Sequence, residues 1–527
     1  MLLRRSVQGA ALAAAVSLSL TACTQIERAP LGGQKADARA ELANKSQALT
    51  APTTYLVVYK LPSLPLTAAL DITLAGGKLV STFPLIGVVV AQSSSDTFVS
   101  KLSKNILVEG VAATGAAQIN LTPTNFTPLL PLPTLSSAPA PTPGAEPLSG
   151  YQWNMEQIHA SQARAITQGK RSVVVGVFDS GIDDSHQDLQ GQVDVKRSVS
   201  CVGGIPDDSA AAWRADQAGH GTAVAGLIAA KKNGKGIVGI APGVSLAAIK
   251  VSQVVYYPEY DYNYHAVFPE AFVCGLYWAA SRGINLVNAS LALDPWLYNC
   301  STDPQQKTIV TATQRALNYA ALRGVTVVAA ASNEAEDLAH KSVDPYTGAA
   351  VTPECKLLPV EASGVIGVSA VGASRELAFY SNTGLGAIDF AAPGGDMFVP
   401  TTGNDLGQVL STAPKTSQYY NEAGGWGGRV AVGCTDGLDA NDPSSDPTTC
   451  AETYMQLQGT SMATPHVTGI AALALSKFGP MSTAQLIDRL RAGATPKACP
   501  PDTTCEGTTV YNGFFGYGLV DSLNTID

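Results

Sequence analysis

Val173-Val174-Val175-Gly176-Val177-Phe178 runs without a break into Asp179-Ser180-Gly181-Ile182-Asp183. Apolar side chains at successive positions, with no polar alternation, predict a strand buried on both faces, as at the centre of a parallel sheet. The acid Asp179 then falls at the carboxyl end of the strand, where α/β sheets build their sites. Outward from this stretch, β-branched runs and helical runs alternate: helix over 222–230, strand over 246–251, helix over 271–282, strand over 284–288, helix over 307–323 and strand over 325–330. That rhythm predicts an α/β fold, a parallel sheet covered by helices.

Two other stretches carry chemistry. Gly219-His220-Gly221-Thr222-Ala223-Val224-Ala225-Gly226 puts a histidine at a helix entrance, with small residues that let the helix pack closely. The other histidines, His159, His186, His265, His340 and His466, have no comparable setting and read as surface or core residues. Gly459-Thr460-Ser461-Met462-Ala463-Thr464-Pro465-His466 sets a serine before a helix that continues to about Ser476. Alone, an Asp-Ser-Gly is a turn and a serine at a helix start is a cap. Together, in the order Asp, His, Ser and each at a strand end or helix start, they follow the chain order of the subtilisin triad.

These motifs, with Val327-Val328-Ala329-Ala330-Ala331-Ser332-Asn333-Glu334, resemble the signatures of the subtilase family over about residues 151–518. The resemblance implies a three-layer subtilisin-like parallel sheet with helices on both faces, and a serine endopeptidase acting on polypeptides without a catalytic cofactor. It implies Asp179, His220 and Ser461 as the triad and Asn333 as an oxyanion donor. Ser290, Leu291 and Ala292 would pair with an extended substrate, facing Ala330, Ala331 and Ser332. The family usually has glycine where Ser332 stands, a departure expected to narrow the pocket. A structural calcium is implied at Asp188 and at Asn233 of the loop 231–237, although Lys231 and Lys235 suit a cation poorly. A loop with Asp436, Asp439, Asp442 and Asp446 is a second candidate. The tyrosine-rich stretch around Tyr256, Tyr257, Tyr260, Tyr262 and Tyr264 either borders the cleft or packs its own rings.

The chemistry needs these residue types. A serine hydroxyl is a feeble nucleophile at neutral pH, so a histidine must take its proton and return it to the leaving amine, while a carboxylate steadies the imidazolium. A transpeptidase would use the same triad, and a non-catalytic binding lipoprotein would keep only the scaffold.

At the N-terminus Arg4 and Arg5 precede an apolar run over 9–20 that ends in Leu20-Thr21-Ala22-Cys23. This resembles a bacterial lipobox, giving a signal peptide over 1–22 and lipidation of Cys23, with a tether over 23–50. Residues 51–118 predict a small α+β unit, with strands over 55–59, 87–91 and 106–109 and a helix over 96–102. It resembles the inhibitory propeptide of subtilases. Eight prolines between Pro123 and Pro147 make 119–150 a linker, and 151–527 is the peptidase domain. A self-cut between 114 and 150 would separate the enzyme from its anchor, leaving an anchored precursor and a secreted, monomeric product.

Composition agrees with export rather than with nucleic acid. The net charge is −9 over 527 residues, with 50 glycines and 32 prolines and no basic run. Of the nine cysteines, eight remain after Cys23, an even number that allows about a hundred pairings. Cys434 with Cys450 and Cys499 with Cys505 lie close enough to close local loops; Cys201 with Cys274 and Cys300 with Cys355 follow by elimination.

Overall fold

The computed structural model describes residues 52–114, 145–257, 262–399, 407–415, 429–432, 452–501 and 503–527. The signal, Cys23, the tether, most of the linker, Cys434, Cys450 and the four aspartates between those cysteines lie outside the described residues. Among the described residues, no helix is long and apolar enough to cross a membrane.

The N-terminal unit is built from β1 (Thr53–Tyr59), α1 (Ala68–Ala75), β2 (Lys78–Phe83), β3 (Val88–Ser93), α2 (Phe98–Leu102) and β4 (Val108–Ala113). Its strands form an antiparallel sheet in the order β2-β3-β1-β4. Side chains alternate between two destinations, as the period of a strand requires. Val57, Tyr59, Val89 and Ala91 pack with Ile72 and Phe98 of the unit's own helices. Leu56, Val58, Val88 and Val90 instead join the core of the larger C-terminal body. The strand expected over 106–109 begins only at Val108. The Asn105 side chain accepts the Leu107 N–H at 2.9 Å, which takes the main chain into a turn and leaves Ile106 and Leu107 exposed.

In the body, β5 (Val174–Asp179), β6 (Val199–Ser200), β7 (Ser245–Lys250), β10 (Leu286–Ala289), β12 (Thr326–Ala330), β14 (Val365–Val371) and β15 (Phe390–Pro393) make one seven-stranded sheet, in the order β15-β14-β12-β10-β5-β7-β6. Every pairing in it is parallel. Between β7 and β10 come an antiparallel hairpin, β8 (Ser252–Tyr257) with β9 (Tyr262–Val267); β11 (Tyr298–Asn299) pairs with β13 (Lys356–Leu357). A further small sheet joins β16 (Val409–Ala413), β17 (Arg429–Val432) and β18 (Glu452–Leu457). After β7 the chain crosses to the other flank of β5, so connections leave β5 and β10 in opposite directions and open a crevice at their carboxyl ends.

Two helix layers cover this sheet. Val175, Val177, Leu246 and Val328 face α3 (His220–Ala229) and α6 (Thr460–Phe478). Val174, Phe178, Ile249 and Val327 face α4 (Pro269–Ser281) and α5 (Pro304–Leu322). The expected α/β layering is therefore present, and each fully buried valine or leucine contributes about 1.5–3 kcal/mol to it.

The N-terminal unit rests on α4 and α5. The Arg315 guanidinium of α5 donates to main-chain carbonyls of Lys60 at 3.1 Å and Ile86 at 3.3 Å, and pairs with Glu109. β4 approaches α5 so closely that a Cβ on Gly110 would lie 2.2 Å from the Thr308 hydroxyl. Disulfides join Cys201 to Cys274, Cys300 to Cys355 and Cys499 to Cys505; the pair Cys434 and Cys450 falls outside the described residues.

Candidate active site

β5 ends on Asp179, buried at the crevice, and its Oδ1 accepts the Ser180 N–H at 2.8 Å and the Ser180 hydroxyl at 3.1 Å. His220 opens α3 and places Nδ1 2.8 and 2.9 Å from the two Asp179 oxygens. Glycine makes this approach feasible: a Cβ on Gly221 would lie 2.1 Å from the Gly181 carbonyl and 3.0 Å from Asp179 Cβ.

Asp216, which the motif reading passed over, braces both residues. Its carboxylate accepts from the Ser180 hydroxyl at 2.7 Å, Gly219 N–H at 2.9 Å and Thr222 N–H at 2.8 Å, and from the Thr222 hydroxyl. Burial raises this carboxyl above its ordinary range, and the Thr222 and Ser180 hydroxyls pull the other way. The only available signal was an acid four residues before the histidine, which has no meaning until the fold brings in Ser180.

Ser461 lies in the first turn of α6 and is partly exposed. Its Oγ is 3.3 Å from the Ser290 carbonyl, and the Ser290 hydroxyl donates to the Ser461 carbonyl at 2.8 Å. Asn288 Nδ2 donates to that Ser290 hydroxyl at 2.9 Å, and its Oδ1 accepts from Thr468 of α6 at 2.9 Å. The strand end that carries Ser290, Leu291 and Ala292 is thereby pinned to the helix that carries Ser461.

Asn333 follows β12. Its Oδ1 accepts the Thr460 N–H at 2.8 Å and the Thr460 hydroxyl at 3.0 Å, which commits the carbonyl end of the amide and leaves Nδ2 as the donor end. Ala330 and Ala331 are buried beside it. Ser332 adopts φ 76°, the left-handed region that favours glycine, at a cost of about 1–2 kcal/mol. Its hydroxyl donates to Glu334 at 3.0 Å, so the departure from glycine is tied to a carboxylate that also receives Asn382 Nδ2 at 2.8 Å. In the tyrosine-rich hairpin, Tyr264 is buried and donates to Asp294 at 2.9 Å, so that ring serves the fold; the tip, 258–261, lies outside the described residues.

The profile of the subtilase family, peptidase S8, matches residues 170–518. The chain belongs to the subtilase family. It is a serine protease, a hydrolase of peptide bonds that needs no cofactor for catalysis. Subtilisin DY of Bacillus licheniformis is 30% identical to this subtilase over 338 residues, which are 64% of this chain and 89% of that protein. Fervidolysin of Fervidobacterium pennivorans is 30% identical over 336 residues, 63% of this chain but 39% of fervidolysin. Among solved structures, the epidermin leader peptide processing serine protease of Staphylococcus aureus superposes with a TM-score of 0.63 at 19% identity, covering 91% of this chain and all of that one, a likeness of fold.

The subtilase's expected calcium ligands, Asp188 and Asn233, do meet, but they bond to each other. Asp188 Oδ1 accepts Asn233 Nδ2 at 3.1 Å; Oδ2 accepts the Tyr454 hydroxyl at 2.9 Å and the Ile237 N–H at 3.1 Å. The Asn233 side-chain oxygen, Oδ1, accepts the Lys235 N–H at 2.9 Å. Donors thus surround the carboxylate where a cation would need free lone pairs, and burial raises the Asp188 carboxyl above its ordinary range. This bonding does not fit a calcium ion held between the two side chains. Tyr454→Phe is expected to cost about 1–3 kcal/mol by removing a buried donor, whereas EDTA should leave the melting temperature of the parent unchanged. A lower melting temperature in EDTA, restored by calcium, would contradict this.

Proposed function

We propose that this subtilase is an endopeptidase that works through Asp179, His220 and Ser461, and the observation that carries the reading is the His220 ring held by its Nδ1 edge against the Asp179 carboxylate. An Nδ1–H donated to Asp179 fixes the tautomer in which Nε2 accepts a proton. His220 then takes the Ser461 proton as Oγ attacks the substrate carbonyl. As the C–N bond breaks, His220 gives that proton to the amine, and water cleaves the acyl-enzyme by the same route. Asn333 Nδ2 and the Ser461 N–H, one of the helix-start donors without an intrahelical partner, stabilise the negative oxygen of the tetrahedral intermediate. Substrate lies extended between residues 290–292 and 330–332.

Residues 51–118 act as an inhibitory propeptide and 119–150 as the linker to a peptidase domain over 151–527. The docking of the N-terminal sheet on α4 and α5 supports this, and so does a fold likeness that extends beyond 170–518. Signal cleavage after residue 22 and lipid on Cys23 hold the precursor at the cell envelope, and self-cleavage in the linker releases a soluble monomer outside the cytoplasm. Three disulfides support export to an oxidising compartment.

Expression of the full chain with and without Ser461→Ala tests the reading. The parent is expected to cut itself between 114 and 150 and to hydrolyse unfolded protein, while the variant stays uncut and inert with an unchanged melting temperature. Self-cutting of purified Ser461→Ala at the parental rate would contradict it.

A further inference from the structure

Glu270 takes no part in the chemistry above, yet its side chain is wholly buried. It stands in the first turn of α4, under the N-terminal sheet. A Cβ on Gly204 would lie 2.9 Å from Val90 of β3 and 3.1 Å from Glu270 Cβ, so body and sheet meet at this point. Among the described residues, neither carboxyl oxygen has a partner at full hydrogen-bond geometry. The influences on the carboxyl are its burial, its own main-chain N–H and the hydroxyl of Thr114, the residue that follows β4. Thr114 is buried as well, and both its N–H and its hydroxyl are directed to the Thr54 carbonyl, at 3.1 and 3.3 Å. The N-terminal unit therefore supplies the groups that close over Glu270.

We propose that Glu270 is a proton-dependent contact for the N-terminal unit: the unit docks over the neutral carboxyl and is released when that carboxyl ionises. This rests on the reading of residues 51–118 as the inhibitor. A carboxylate sealed under Val90 loses more hydration than its own N–H and a Thr114 hydroxyl directed to Thr54 return, whereas the neutral acid is tolerated there. The start of a helix favours a negative charge, but desolvation outweighs it and raises the carboxyl to about 7 from an ordinary 4.5. Arg315 of α5 and Glu109 of β4 pair with each other across this interface, and no charged group of the described residues is among the influences on Glu270.

Undocking returns the carboxyl to water and to its ordinary value. The docked form thus has the higher pKa and docking takes up a proton. Affinity is full below about 4.5, falls by roughly tenfold per pH unit up to about 7, and is then level at roughly 300-fold weaker.

The test uses the full Ser461→Ala chain, with a recognition sequence for a site-specific protease inserted in the 119–150 linker. After nicking of the folded protein, retention of the N-terminal unit is followed by gel filtration over a dilution series from pH 5 to 8. The parental dissociation constant is expected to rise roughly 70-fold over that range, and that of Glu270→Gln to stay level. Thr114→Val removes a hydroxyl that lowers the Glu270 pKa, so the rise should continue to higher pH, a shift that loss of packing alone would not produce. An unchanged pH dependence in Glu270→Gln, or a level parental curve with the unit retained, overturns the proposal and leaves the inhibitor reading intact. Loss of the unit at every pH overturns both.

Discussion

Asp179→Asn is expected to lower kcat by about 10⁴-fold with little change in KM or melting temperature. The carboxylate faces the Nδ1 edge of His220 with both oxygens, at 2.8 and 2.9 Å, and so admits only the ring form that carries hydrogen on Nδ1. An asparagine amide keeps the shape but offers its NH2 to the same edge. The ring then carries its hydrogen on Nε2 and has no lone pair for the Ser461 proton. Ser180, Asp216 and Gly221 keep the local packing, so the loss should be one of rate. Steady-state kinetics on a peptide substrate, with thermal melts alongside, decide it. A loss below tenfold would show that Asp179 does not set the tautomer.

Asn333→Ala is expected to cost about 10²- to 10³-fold in kcat, the magnitude known for the equivalent donor in subtilisin, a relative of this chain. Alanine also removes the acceptor for the Thr460 N–H and hydroxyl at the start of α6, so a structural loss has to be separated from a catalytic one. Asn333→Asp makes that separation. It keeps an oxygen for Thr460 and replaces the donor by a negative charge beside the developing oxyanion, so it should be at least as inactive as alanine while melting like the parent. If Asn333→Asp retained most of its activity, the side-chain amide would have no oxyanion role.

The parts of the fold legible in the sequence were those whose local pattern decides the outcome. The unbroken apolar run at β5, the small-residue face of α3 and the helix after Ser461 each declare burial through their own residues. What escaped depends on partners distant in the chain. β2, over Lys78–Phe83, buries only Phe83, so it shows little of the alternation by which a strand is recognised. β14 and β15 consist largely of small and apolar residues in short runs, and become strands through the parallel ladder that starts at β12. Asp216 and Tyr454 are of the same kind: one finds Ser180 and the other finds Asp188 across the fold. The same holds at the expected calcium ligands, where Asp188 and Asn233 were legible and the Tyr454 hydroxyl that bonds Asp188 was not.

Reaction with a fluorophosphonate probe, mapped by mass spectrometry on the processed enzyme, tests most directly whether the serine is activated by the histidine and carboxylate. Labelling is expected at Ser461, close to one probe per molecule, and should fall by orders of magnitude in folded His220→Ala. Labelling at another residue, or of Ser461 at an undiminished rate without His220, would contradict the relay.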